Sequence, residues 1–84
     1  MPANSLMATL GSEVRARRAS LSLSQRDVAD LAGVSERFVR FVETGKSTVQ
    51  LEPLVAVLDT LGLELSLRQA GRPGASWTAS EPAQ

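Results

Sequence analysis

Apolar residues recur at helical spacing in four stretches of this 84-residue chain. In the first, Leu10 and Val14 are separated by polar residues, and the helix is predicted to run from Thr9 to about Ala19. The last is the most apolar and carries a wide stripe of leucine and valine between Leu51 and Leu61. The pattern predicts a mainly α fold of four to five helices, with helices over residues 9–19, 24–32, 35–43 and 51–61.

Polar residues and glycines mark where the middle helices begin and end. Ser24 is followed three positions later by Asp27, the spacing of a capping box, and Ser35 is a second N-cap. Gly33 lies between the two helices, where a residue that tolerates positive φ is needed. Two short helices joined by a tight turn are therefore expected over residues 24–43.

The segment after Gly62 changes period from helical to alternating. Residues 63–68 place leucines on one face and polar residues on the other, which predicts a short half-buried strand. A lone strand is unstable because its backbone groups need partners, so the strand is expected to pair with its copy in a second chain. The leucine face would then close over the core. The dimerisation residues predicted are Leu63, Glu64, Leu65, Ser66 and Leu67.

The two ends of the chain differ in composition from its centre. Residues 1–8 are predicted to be a flexible arm, residues 9–68 the folded domain, and residues 69–84, rich in Ala, Gly, Pro and Ser, a disordered tail. Trp77, in that tail, is either incidental or an anchor for a partner protein, because aromatic residues often dominate interfaces.

Composition excludes several classes of function. The chain has no cysteine and no histidine, and it has no glycine-rich phosphate loop, so no catalytic residue, metal site or cofactor is predicted and an enzyme is disfavoured. No apolar run is long enough to span a membrane, and no secretion signal is recognised, which predicts a cytoplasmic protein. The net charge is zero, but residues 13–46 hold seven basic and five acidic residues.

Residues 25–44 combine the features that two crossed helices need in order to bind DNA. Ala29 is small enough for a close crossing, and Val34, Val39 and Val42 are spaced to lock the second helix against the first. That second helix shows charged residues on its outer face, which a generic helical hairpin does not explain. The segment therefore predicts a helix-turn-helix that binds double-stranded DNA.

The sequence from Ser24 to Leu67, SQRDVADLAGVSERFVRFVETGKSTVQLEPLVAVLDTLGLELSL, resembles the XRE family of Cro- and repressor-like domains. The resemblance spans about residues 9–68, and the ending Leu-Gly-Leu-Glu-Leu-Ser-Leu looks most like the HipB-type antitoxins. It implies a homodimer that represses its own operon in the bacterial cytoplasm, associated with the nucleoid, and a HipA-like kinase toxin as partner. The alternative is a stand-alone XRE-family transcriptional regulator without a toxin.

The resemblance also implies roles for individual residues. Gln25 would bond a phosphate and buttress the recognition helix, whose first residues would approach the bases. Phe41 occupies a place that is more often polar in the family. An ion pair between Arg18 and Glu43 is expected where the first and third helices end. The DNA-binding residues predicted are Gln25, Arg26, Ser35, Glu36, Arg37, Arg40, Phe41, Lys46 and Ser47.

Three residues of the helix over 35–43 have a structural alternative. Arg37 could read a base or be a solvated surface residue. Glu36 could accept a hydrogen bond from cytosine or merely favour the first helical turn. Phe38 could cover a thymine methyl or pack against the second helix, and packing is favoured.

Overall fold

The computed structural model describes residues 3–46 and 48–69 of the chain, and these form a mainly helical domain. The predicted mainly α fold is confirmed, with the lower of the two predicted helix numbers. None of the described helices is both long and apolar enough to cross a membrane. The four helices are α1 (Ala3–Ser20), α2 (Gln25–Ala32), α3 (Glu36–Glu43) and α4 (Leu51–Thr60).

Helix α1 begins earlier than the sequence pattern predicted. Residues 3–8, which were assigned to a flexible arm, are helical. Alanine, leucine and methionine in this stretch favour a helix, but Leu6 is exposed, so no apolar periodicity marks the extension. The extra turns bring the backbone of Ala8 close to Gly45, where a Cβ atom would lie 3.3 Å from the Ala8 Cα.

The caps of α2 and α3 follow the prediction. The Ser24 hydroxyl accepts a hydrogen bond from the Asp27 amide at 2.9 Å, and the Asp27 carboxylate accepts one from the Ser24 amide at 2.9 Å. Gly33 ends α2 with a φ of 74°. Ser35 then opens α3 by accepting a hydrogen bond from the Phe38 amide at 3.0 Å. These local bonds fix the turn between the two helices.

Side chains from all four helices build one core. The three valines of the predicted helix-turn-helix pack as expected, with Val39 and Val42 fully buried and Val34 packed at the edge. Phe38 also packs against this core, as favoured. The buried residues are Val14, Val28, Ala29, Val39, Val42, Leu54, Val57, Leu58 and Leu61.

Leu31 does not join the core, although Val28, Ala29 and Leu31 are the apolar positions from which the sequence predicts the buried face of α2. Its side chain is 68% exposed. In a helix with 3.6 residues per turn, Val28, Ala29 and Ala32 already cover the arc that faces the core, and Leu31 falls about 60° outside that arc. The apolar face of α2 is therefore narrower than predicted.

Helix α1 and the last turn of α3 touch backbone to backbone at Gly11. A Cβ atom on Gly11 would lie 2.4 Å from the carbonyl oxygen of Val42 and 2.9 Å from that of Glu43. No real Cβ atom tolerates such contacts, so a side chain at this position would force the two helices apart. Gly11 thus fixes how closely α1 approaches α3.

The chain leaves α4 through a glycine turn and continues without regular structure. Gly62 has a φ of 73°, and the Leu63 amide donates a hydrogen bond to the Leu58 carbonyl at 2.8 Å. Arg17, from α1, donates a hydrogen bond to the Leu61 carbonyl at 2.8 Å and so holds the end of α4.

The leucine face of residues 63–68 does not close over the core of its own chain. Leu63 packs against the core, but Leu65 is 49% exposed and Leu67 fully so. No strand forms in the described part of this segment. A strand needs a neighbour for its backbone groups, and none of the described residues forms one with this segment. Pairing with a second copy stays a prediction.

Candidate nucleic-acid interface

The outer face of α3 carries the charged residues that were predicted to meet DNA. Val39 and Val42 anchor the opposite face in the core. Glu36, Arg37 and Arg40 are all exposed, and the capping residue Ser35 is exposed at the start of the helix. The structure therefore brings the residues predicted to approach bases onto one accessible surface.

Glu36 and Arg40 are paired with each other in the free protein. One guanidinium nitrogen of Arg40 lies 3.4 Å from a Glu36 carboxylate oxygen, and both side chains are about half exposed. A pair spaced i, i+4 on a helix surface contributes only about 0.2–0.5 kcal/mol. Glu36 and Arg40 can therefore each give up this contact and form one to DNA with little loss of free energy.

Phe41 lies next to two cations that were predicted to contact DNA. The guanidinium carbon of Arg37 is 5.2 Å from the centre of the Phe41 ring, and the ammonium nitrogen of Lys46 is 5.4 Å from it. Sequence reasoning missed this cluster. The i, i+4 spacing of Arg37 and Phe41 was a signal for half of it, because such positions are neighbours on a helix.

Gln25 contacts the end of α3, the helix that the resemblance predicts to recognise DNA and to be buttressed by Gln25. Its side-chain amide donates a hydrogen bond to a Glu43 carboxylate oxygen at 3.1 Å. The contact ties the start of α2 to the end of α3. Arg26, the next residue, is exposed in the first turn of α2. The phosphate contacts of both residues stay predictions.

The predicted ion pair between Arg18 and Glu43 is confirmed, and its geometry is bidentate. Two guanidinium nitrogens of Arg18 donate to the two carboxylate oxygens of Glu43 at 2.6 and 3.0 Å. A third Arg18 nitrogen donates to the Leu23 carbonyl at 2.8 Å. The Glu43 side chain is only 4% exposed. This network joins α1, the turn before α2, and α3.

The network also sets the protonation of its carboxylate. Burial acts to raise the pKa of Glu43, but the hydrogen bonds from Arg18 and Gln25 and the positive charges of Arg18 and Arg15 together lower it by more, so that the pKa is below its ordinary value. The hydrogen bond to Glu43 raises the pKa of Arg18. The pair is therefore fully charged at neutral pH.

Two residues predicted to contact partners lie outside the described residues. They are Ser47, which was assigned to phosphate, and Trp77, which was assigned to a partner protein. The predicted tail over residues 69–84 likewise lies outside them, apart from Gln69.

Comparison with known proteins agrees with this arrangement. The helix-turn-helix family matches residues 14–67. The chain is also 38% identical over 64 residues to an uncharacterised HTH-type transcriptional regulator, y4mF, of Sinorhizobium fredii, and that alignment covers 76% of this chain and 84% of the relative. The family match extends from α1 through the segment after α4, beyond the two helices that define the motif. The chain belongs to the helix-turn-helix family.

Proposed function

We propose that this protein is a sequence-specific DNA-binding regulator of transcription that inserts α3 into the major groove. The observation that carries the proposal is the two-sided character of α3, with valines fixed in the core and Glu36, Arg37 and Arg40 exposed opposite them. Membership of the helix-turn-helix family supports it, as does similarity to a relative named as a transcriptional regulator.

The residues proposed to meet DNA divide into readers of bases and binders of phosphate. A recognition helix enters the groove with its N-terminal residues first, which favours Ser35, Glu36 and Arg37 as base contacts. Arginine can bond the O6 and N7 atoms of guanine together, and glutamate can accept from the N4 amino group of cytosine. Contacts to phosphate position the protein without reading sequence. The residues proposed for phosphate are Gln25, Arg26, Arg40, Lys46 and Ser47.

Arg37→Ala should remove most of the sequence preference while leaving the fold intact. The side chain is exposed at the start of α3, and a lost bidentate base contact costs about 1–3 kcal/mol of discrimination. The measurement is a fluorescence titration with two duplexes, one that the wild-type protein enriches from a random-sequence pool and one with that sequence scrambled.

Arg26→Ala is the matched control for this titration. It removes one exposed arginine from a position proposed for phosphate, so affinity for both duplexes should fall by the same factor. If Arg37→Ala leaves the ratio of the two affinities unchanged, the assignment of Arg37 to base reading is wrong. If the wild-type protein enriches no sequence, the proposed function itself is wrong.

We further propose that the regulator acts as a homodimer joined through residues 63–68. Leu65 and Leu67 are exposed on a segment without regular structure, which leaves them free to pair with a second copy. Two half-sites in successive major grooves lie about 34 Å apart, so a dimer must hold two recognition helices at a defined separation.

Within this function, the narrower proposal is an antitoxin that represses its own operon and binds a HipA-like kinase. It rests on the ending of the domain, where exposed leucines at alternate positions follow Gly62, and on the resemblance of that ending to HipB-type antitoxins. Such a protein would act at the bacterial nucleoid. The alternative is a stand-alone regulator with no toxin partner.

Trp77→Ala should weaken binding of the proposed HipA-like kinase and spare binding of DNA. An aromatic residue in a short polar segment suits a pocket on another protein. Calorimetry with the kinase and the duplex titration can be run on one preparation, with Thr78→Ala as the control. Equal kinase affinity for wild type and Trp77→Ala would contradict the anchor, and no kinase binding at all would favour the stand-alone regulator.

A further inference from the structure

We propose that Phe41 is a positioning residue of the DNA interface, whose ring holds Arg37 and Lys46 ready for DNA. The inference rests on the proposed function and deepens it. It gives Phe41 a role other than the direct DNA contact that the resemblance implied. The ring, together with its two cations, is termed the Phe41 cluster below.

The geometry of the Phe41 cluster links two different structural elements. Arg37 lies one turn before Phe41 on α3, whereas Lys46 lies in the loop that follows the helix. Both cationic groups fall within the roughly 6 Å over which an aromatic ring attracts a cation. One ring therefore joins a residue proposed to read bases to a residue proposed to bind phosphate.

Core packing does not account for Phe41. Its side chain is only half-buried, and it is absent from the described residues that form the core or pack against it. Phe38, on the same helix, is one of those packing residues. Among the described residues, Arg37 and Lys46 are the ones whose charged groups lie over the Phe41 ring.

Holding the two cations in advance favours binding because flexible side chains lose freedom when they meet DNA. Arginine and lysine have many rotamers, and immobilising each at an interface weakens binding by roughly 2- to 10-fold. Side chains that are already ordered against a ring lose less freedom when they bind DNA. The ring also attracts two like charges to one place, where they would otherwise repel each other.

The test replaces the ring while keeping an apolar side chain. Phe41→Leu should weaken binding to the enriched duplex by about 5- to 30-fold, since two cations lose their ring, and Phe41→Tyr should restore it. Loss of the Lys46 phosphate contact should also reduce the slope of log affinity against log salt by about 0.9. Thermal unfolding should change little, because Phe41 is outside the core.

A double-mutant cycle with Arg37→Ala separates positioning from direct contact. If Phe41 acts through Arg37, the loss caused by Phe41→Leu should be clearly smaller in the Arg37→Ala background. Additive losses would overturn the proposal, as would an unchanged salt slope or a Phe41→Tyr variant that binds as weakly as Phe41→Leu. These outcomes are distinct from failure of the proposed function, in which the wild-type protein would enrich no sequence.

Discussion

Arg18→Met should lower the free energy of unfolding by up to about 3–5 kcal/mol, the cost of removing one partner from a buried ion pair, because the pair is part-buried and its Glu43 side is almost wholly covered. The cost arises because Glu43 would keep its charge in a site where its side chain is 4% exposed. Denaturant titration followed by circular dichroism measures the change. Small domains are only marginally stable, so Arg18→Lys, which keeps the charge but loses the bidentate geometry, provides a milder variant.

The exposed pair on α3 supplies the matched control for this experiment. Arg40→Met also removes an arginine from an ion pair with a glutamate, but the two side chains of this pair are about half exposed. The free energy of unfolding should therefore fall by no more than about 1 kcal/mol. Replacing both Arg18 and Glu43 by apolar residues should recover much of the stability, because no buried charge is left unpaired. Equal losses from Arg18→Met and Arg40→Met would show that burial does not matter here.

The same pair should make the domain sensitive to acid. The pKa of Glu43 is lower in the folded protein than its ordinary value of 4.5, so the folded state binds fewer protons. The stability that this difference contributes is complete above pH 4.5 and is lost as the pH falls through the folded pKa. Glu43→Gln should flatten this part of the curve of unfolding free energy against pH, measured by denaturant titration at a series of pH values.

Replacing Leu65 and Leu67 together with serine should convert the protein into a monomer and weaken binding to the enriched duplex by about 10²- to 10⁴-fold. Both leucines are exposed in the single chain, so the fold should survive. The large loss is expected because a dimer binds its second half-site at a high effective concentration, which a monomer lacks. Light scattering and the duplex titration measure the two effects.

Leu31→Ser is the control for the leucine substitutions. Leu31 is also exposed, at 68%, but lies on α2 and not in the segment proposed to pair. It should leave both the mass and the affinity unchanged. Leu63 is kept in every variant because it packs against the core. A double variant that still dimerises at wild-type affinity would rule out residues 63–68 as the main interface.

Sequence alone predicted the centre of this fold because its signals there are local. The capping box at Ser24, the cap at Ser35 and the positive φ at Gly33 each depend on residues within one turn. The valines of α3 recur at a spacing that only one face of a helix can satisfy. Where α2 and α3 begin, and which face of α3 is exposed, followed from these residues.

The features that sequence missed depend on contacts between distant segments. The early start of α1 is marked by its approach to Gly45, and no apolar repeat announces it. The place of Lys46 beside Phe41 depends on how the loop after α3 folds back. Leu65 and Leu67, after Gly62, find no covering neighbour among the described residues, so their alternation in the sequence could not predict what covers them.

Gly11 has a consequence for how accurately two half-sites can be matched. Most helices in a protein meet through side chains, which can change rotamer and let the helices shift slightly. Here α1 and α3 meet through main-chain atoms, with no room even for a methyl group between them. The tilt of α3, the proposed recognition helix, is therefore insensitive to rotamer changes at this contact. In the proposed dimer, any error in that tilt would be repeated in both copies. Gly11 keeps that error small.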